Sequence, residues 1–114
     1  MHDVEHIEIL RAGPNEWNSW REHSHELPQL RGVLLEQLDL REYDLTGTDF
    51  ADAHLEEVRL SHCNLSSSIW SRAAVIACDL VRADLFMAVG IAAQFKQCVL
   101  SREFCLQQFH KSYV

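Results

Sequence analysis

Cys78-Asp79-Leu80-Val81-Arg82-Ala83-Asp84-Leu85 repeats itself after five residues: a small side chain, Asp, Leu, then two variable positions. Followed outward, the same period runs through Leu35, Leu40, Leu45, Phe50, Leu55, Leu60, Leu65, Trp70, Val75, Leu80, Leu85, Gly90, Phe95 and Leu100, so 11 of 14 positions are Leu or Phe. Neither the strand period of about 2 nor the helical period of about 3.6 divides that spacing. Two residues before each large position stands a mostly small one, as in Thr48, Ala53, Cys63, Ser68, Ala73, Ala83, Ala88, Ala93 and Cys98. Between them sits Asp or Asn in Asp39, Asp44, Asp49, Asn64, Asp79 and Asp84. A five-residue side that turns a corner directs one large and one small side chain inward, and stacked coils bury a core that no single coil could bury.

The unit resembles that of the pentapeptide-repeat family, usually written A(D/N)LXX. Cys63-Asn64-Leu65, Cys78-Asp79-Leu80 and Ala83-Asp84-Leu85 match it best, and the resemblance covers about residues 30–102. It implies an all-β solenoid, a right-handed quadrilateral β-helix of about three and a half coils, four units to a coil. Residues 20 apart then stack at the strand spacing of about 4.8 Å. The expected large columns are Leu35/Leu55/Val75/Phe95, Leu40/Leu60/Leu80/Leu100, Leu45/Leu65/Leu85 and Phe50/Trp70/Gly90. In the last of these an oversized Trp70 lies below a Gly90 without a side chain, which roughly conserves volume in a packed interior. Leu45, Phe50, Leu65, Trp70, Leu85 and Gly90 are taken as the structural core. The larger Leu38 and Tyr43 fall in small slots of the first coil, where the end of the stack leaves room.

An open stack exposes strand-like edges unless its ends are covered. After Gly13-Pro14 the stretch Asn15–Glu22 reads as a helix with Trp17 and Trp20 on one face, stopped by Pro28. Its W-N-x-W-R core is similar to the lead-in of some members of the family. At the other end Cys105, Leu106, Phe109 and Tyr113 predict a short closing helix. Ile7, Ile9 and Leu10 suggest a short strand within Met1–Ala12. The chain thus reads as a single domain, 1–114, with an N-terminal cap (1–29), a β-helix (30–102) and a C-terminal cap (103–114).

Composition narrows function. Ten Lys+Arg against 17 Asp+Glu give a net charge of −7, and 47% of the 114 residues are hydrophobic. That balance is globular, and its acidity argues against direct binding of nucleic acid. No apolar run reaches the roughly 18 residues of a membrane span, and Met1-His2-Asp3-Val4-Glu5 lacks the features of a signal peptide, so a cytoplasmic protein with free thiols is expected. No G-x-S-x-G, phosphate loop or H-E-x-x-H is present among these residues, and no enzyme activity or cofactor is expected. His54, His62, Cys63, Cys78 and Cys98 carry zinc-ligand chemistry, but their register puts the cysteines inside and the histidines outside, so no metal site is expected. His23 and His25 do not share a helix face and read as solvated. Cys78 and Cys98 should stack in adjacent coils, near enough for a disulfide on distance alone. The run of middle-position Asp is either an acidic surface or the corner former of the repeat.

The outward slots change character along the chain. Glu36, Gln37, Arg41, Glu42, Asp52, Glu56, Glu57, Ser61, Ser66 and Ser67 are polar, whereas Ile69, Ile76, Val81, Phe86, Met87, Val89, Ile91 and Val99 are apolar. Such a patch is an interface for a second copy or another protein, is covered by the C-terminal helix, or marks slipped register around Gly90. The reading that follows is a non-enzymatic scaffold or protein-interaction module, with Ile69, Ile76, Val81, Phe86, Met87, Val89 and Ile91 as its interaction patch. The alternative, implied by the quinolone-resistance members of the family, is an acidic DNA mimic acting on DNA gyrase. Three and a half coils, about 17 Å of rod, make a short mimic.

Overall fold

In a computed structural model residues 3–100 are described. Two helices, α1 (Val4–Arg11) and α2 (Pro14–His23), precede four three-residue strands, β1 (Leu34–Glu36), β2 (His54–Glu56), β3 (Ala74–Ile76) and β4 (Gln94–Lys96). The strands form one parallel sheet in sequence order, with Leu35 opposite Leu55, Leu55 opposite Val75, and Val75 opposite Phe95. Three more columns of single parallel bridges repeat at the same 20-residue step: Asp39–Arg59–Asp79–Val99, Asp44–Asn64–Asp84 and Gln29–Asp49–Ile69–Val89. Pentapeptide period and 20-residue stacking therefore describe one coil. Leu45, Phe50, Leu65, Trp70, Leu85 and Gly90 are all buried, as the columns require.

Each corner is made by the chain itself. Asp39, Asp44, Asp49, Asn64, Asp79 and Asp84 accept at Oδ1 the backbone N–H two residues on, at 2.9–3.2 Å. These residues are the corner formers of the repeat. Two residues after the large position the backbone turns left-handed at Gln37, Asp52, Glu57, His62, Ser67, Arg72, Ala77, Arg82, Met87, Ala92 and Gln97, and at Gly32 and Gly47. Non-glycine residues adopt that conformation at a cost of about 1 kcal/mol each, and from Gln37 to Ala77 each of them donates its N–H to a carbonyl of the following coil. No composition signal announces this slot.

The Trp70 column packs as expected and adds a detail. The Phe50 and Trp70 rings stack at 4.4 Å, and Phe95 from the neighbouring column approaches to 6.1 Å on the Gly90 side of the stack. Trp70 Nε1 donates to Ser68 Oγ at 2.7 Å, and Ser68 Oγ donates to the Leu65 carbonyl at 2.5 Å. The small slot before this tryptophan is thus a serine because a buried indole N–H needs an acceptor.

The N-terminal segment departs from expectation. Residues 4–11 form a helix where a strand was read: Asp3 caps it by accepting Glu5 N–H at 2.9 Å, and His6, Ile7 and Leu10 share the buried face. The hydrophobic spacing at 7 and 10 is one helical turn, which the nearby Ile9 disguised as alternation. Consequently two helices, not one, precede the coil, and α2 ends at His23, before Pro28. The expected C-terminal helix and cap at 103–114 lie outside the described residues.

Candidate functional site

The outer face carries the contrast on which a functional reading must rest. In the column Gln29–Asp49–Ile69–Val89 the side chains change from polar to apolar halfway along the stack. One coil beneath Phe86, Met87 and Ile91 stand Ser66, Ser67 and Ser71, and Val99 follows Asp79 in its own column. Phe86 is 69% exposed and Ile91 74%, with Met87, Val89 and Val99 also open to solvent. Ile69 is at the margin of exposure, while Ile76 and Val81 are half-buried. The apolar patch is therefore narrower than its sequence slots suggest, centred on the last described coil. Ile76 belongs to β3, where it lies between Glu56 and Lys96.

Polar groups on the earlier coils are largely paired. Asp52 binds Arg72 through both oxygens at 2.8 and 3.1 Å, one coil apart, and the Arg72 guanidinium lowers its carboxyl pKa. Arg41 chelates Asp39 at 2.7 and 2.9 Å and brings that carboxyl down to about 2. Asp39 thus serves at a corner and Asp52 in a surface ion pair. A groove of about 440 Å³ between α1 and α2 is floored by Ile9 and Trp20 and edged by Glu5, Glu8 and Glu16. Ser19 and Ala12 complete its lining.

The histidines and cysteines separate as the register demands. His54 points outward and meets Glu56 at 3.1 Å, and His62 is exposed at a left-handed corner. His23 Nδ1 lies 2.8 Å from the Ser19 carbonyl on the exposed side of α2, and His25 is exposed. Cys63, Cys78 and Cys98 turn inward, each thiol donating to the carbonyl 23 residues earlier, of Leu40, Leu55 and Val75. Burial pushes the Cys63 thiol up to about 12.

The helices contribute what sequence reasoning missed. The first coil has middle-position N–H groups with no coil beneath them; Asp44 N–H is accepted by Asn18 Oδ1 at 2.8 Å and Gln29 N–H by His6 Nδ1 at 3.0 Å. Asn18 Nδ2 also donates to the Glu42 carbonyl at 2.8 Å, Trp17 Nε1 to the Asp44 carbonyl at 2.7 Å, and Arg21 Nη2 to Thr46 Oγ1 at 2.9 Å. Three residues of the W-N-x-W-R stretch therefore hold one corner, 42–46. The motif was the signal for Asn18; nothing in the sequence marks His6.

Residues 29–66 match the family description "Pentapeptide repeats", in eight copies. That segment carries pentapeptide repeats. Among solved structures, these pentapeptide repeats are similar to a pentapeptide repeat protein from the cyanobacterium Cyanothece 51142, with 16% sequence identity, 75% of this chain and 86% of that chain covered, and a TM-score of 0.39. No curated protein matches the chain at a significant level. The repeats continue past the matched segment with unchanged register, since the bridges at Asn64–Asp84, Ile69–Val89 and Asp79–Val99 keep the 20-residue step. Among the described residues no helix is long and apolar enough to cross a membrane.

Proposed function

We propose that this pentapeptide-repeat chain is a non-enzymatic scaffold that engages a protein partner through the apolar outer face of its later coils. In this reading a right-handed β-helix of about three and a half coils presents the surface, α1 and α2 cap its first coil, and the cytoplasm is its site of action. The observation that carries the proposal is the column Gln29–Asp49–Ile69–Val89 together with exposed Phe86, Met87 and Ile91. Equivalent slots one coil earlier are serine, so the repeat itself does not demand apolar residues there. Contiguous exposed apolar side chains lose free energy in water and gain it when covered.

Light scattering on the wild type beside the Phe86→Asp/Ile91→Asp variant tests this. If the partner is a second copy, the particle has twice the 13.2 kDa chain mass and the variant halves it. If the partner is a different protein, the wild type is monomeric and retains that protein in a pull-down that the variant fails. Loss of neither association nor capture in the variant rejects the face as the interface. The acidic-mimic reading draws on the net charge of −7 alone, since six of the acidic or amide middle positions are spent on corners. Absence of any effect on gyrase supercoiling at micromolar protein would end it.

A further inference from the structure

Cys78 and Cys98 occupy the same small inward slot of consecutive coils. The pairs Ile76–Lys96 and Asp79–Val99 bracket them in register, so their backbones are separated by the strand spacing of about 4.8 Å. That lies inside the roughly 4.4–6.8 Å range of Cα separations in disulfides. Their surroundings are copies of each other: Cys78 Sγ meets the Leu55 and Ile76 carbonyls at 3.6 and 3.4 Å, and Cys98 Sγ the Val75 and Lys96 carbonyls at 3.2 and 3.4 Å. Access differs. Cys78 is buried and Cys98 is half-buried.

The thiols also differ in acidity. The neighbouring Cys78 lowers Cys98 to about 7 against the opposing effect of burial, while Cys98 and burial push Cys78 up. Cys98, half-buried and the more acidic of the two, is the sulfur that ionises first, giving up its hydrogen bond to the Val75 carbonyl, and it does so beside a Cys78 that stays protonated, the arrangement in which oxidation of one cysteine is resolved by its neighbour. Among the described residues Cys63 has no such partner, and burial keeps its thiol protonated.

We propose that Cys98 and Cys78 form a peroxide-responsive dithiol that closes a disulfide between consecutive coils. The Cys98 thiolate attacks a peroxide oxygen; the S–O bond forms, the O–O bond breaks, and hydroxide leaves to take up a proton as water. The Cys78 sulfur then attacks the Cys98 sulfenic acid; the S–S bond forms, the S–O bond breaks, and the Cys78 proton leaves with the second water. Two thiols give up two electrons and two protons, and hydrogen peroxide is reduced to two waters. The disulfide's Cβ–Cβ span, roughly 3.5–4.5 Å, draws the two coils together locally. Phe86, Met87, Val89 and Ile91 all lie between the joined residues, so oxidation staples the coil that bears the apolar face.

The test is peroxide treatment of the reduced full chain, alkylation, and peptide mapping by mass spectrometry without reductant. The expected product joins Cys78 to Cys98, is lighter than the reduced pair by two hydrogens, reverts with dithiothreitol, and leaves Cys63 alkylated only after unfolding. Cys98→Ser should abolish it; Cys78→Ser, with its fold checked by circular dichroism, should leave Cys98 as a sulfenic acid trapped by dimedone. Should Cys78→Ser not fold, the wild-type map and Cys98→Ser decide alone. Oxidised Cys98 with Cys78 still free, a Cys98–Cys105 disulfide, or two unreacted thiols would each overturn the proposal.

Discussion

The first coil and the last described coil meet solvent in opposite ways. At the first, backbone groups that lack a coil beneath them are given partners by His6, Trp17 and Asn18, and the outer slots around them are mostly charged or polar, with Leu34 the apolar exception on β1. Tyr43, too large for a small slot elsewhere, fits there because its hydroxyl donates to the Leu10 carbonyl at 3.0 Å and its ring faces Trp17 at 6.1 Å. On the last described coil the outer slots hold Phe86, Met87, Val89, Ile91 and Val99. One repeat thus supports a finished surface and an unfinished one. The repeat prescribes the inside, where every coil faces the same packing problem, and leaves the outside free to be chosen coil by coil.

Both regions rest on one continuous core, and the largest expected effect comes from breaking it. Trp70→Ala removes the ring stacked on Phe50 and the indole N–H that Ser68 Oγ accepts, and should cost about 3–5 kcal/mol in urea unfolding; a loss below about 1 kcal/mol would mean that the core is not continuous there. Gly90→Leu should be damaging beside Trp70 and milder in a Trp70→Leu background, while additive effects would reject their shared column. Next comes the first coil alone. Asn18→Ala strips partners from Asp44 N–H and Glu42 O and should cost about 1–2 kcal/mol, because water reaches these groups in part. Amide exchange near residue 44 should rise far more than near residue 84, and equal rises would erase the difference between the two ends.

Smaller still is the stability change at the other region. Phe86→Asp/Ile91→Asp should move the unfolding midpoint by no more than about 0.5 kcal/mol, since both side chains are already in water; a large loss would show that the chain itself covers them. The smallest effect is the Asp39–Arg41 pair. Asp39 is lowered from 3.8 to about 2 in the fold, so its contribution is present above the unfolded value and lost as pH falls between about 4 and 2. The pair is exposed, so the slope is shallow. Asp39→Ala should flatten it, and an unchanged acid limb would mean that the pair adds nothing to stability.

Much of this was legible because a strict period fixes many positions at once. Leu35, Leu55, Val75 and Phe95 could be stacked from spacing, as could the inward cysteines and the corner Asp, since each slot recurs in equivalent surroundings. Where the period stops, reading fails. Residues 4–11 hold only two turns of helix, and Ile7, Ile9 and Leu10 serve either a strand or a helix until Asp3 and His6 are seen in place. Ile76 and Val81 were outward by slot, yet their neighbours half-bury them, which spacing cannot reveal.

The sequence alone determined the coil, its 20-residue stacking and which side chains enter the core, because a five-residue repeat has few ways to bury a large residue every time. Tertiary structure alone decided how the first coil is finished and how wide the apolar face is. His6 and Asn18 reach backbone groups 23 and 26 residues away, and exposure depends on what lies alongside; neither is encoded in any local pattern, because both are properties of surfaces brought together only when the coils stack.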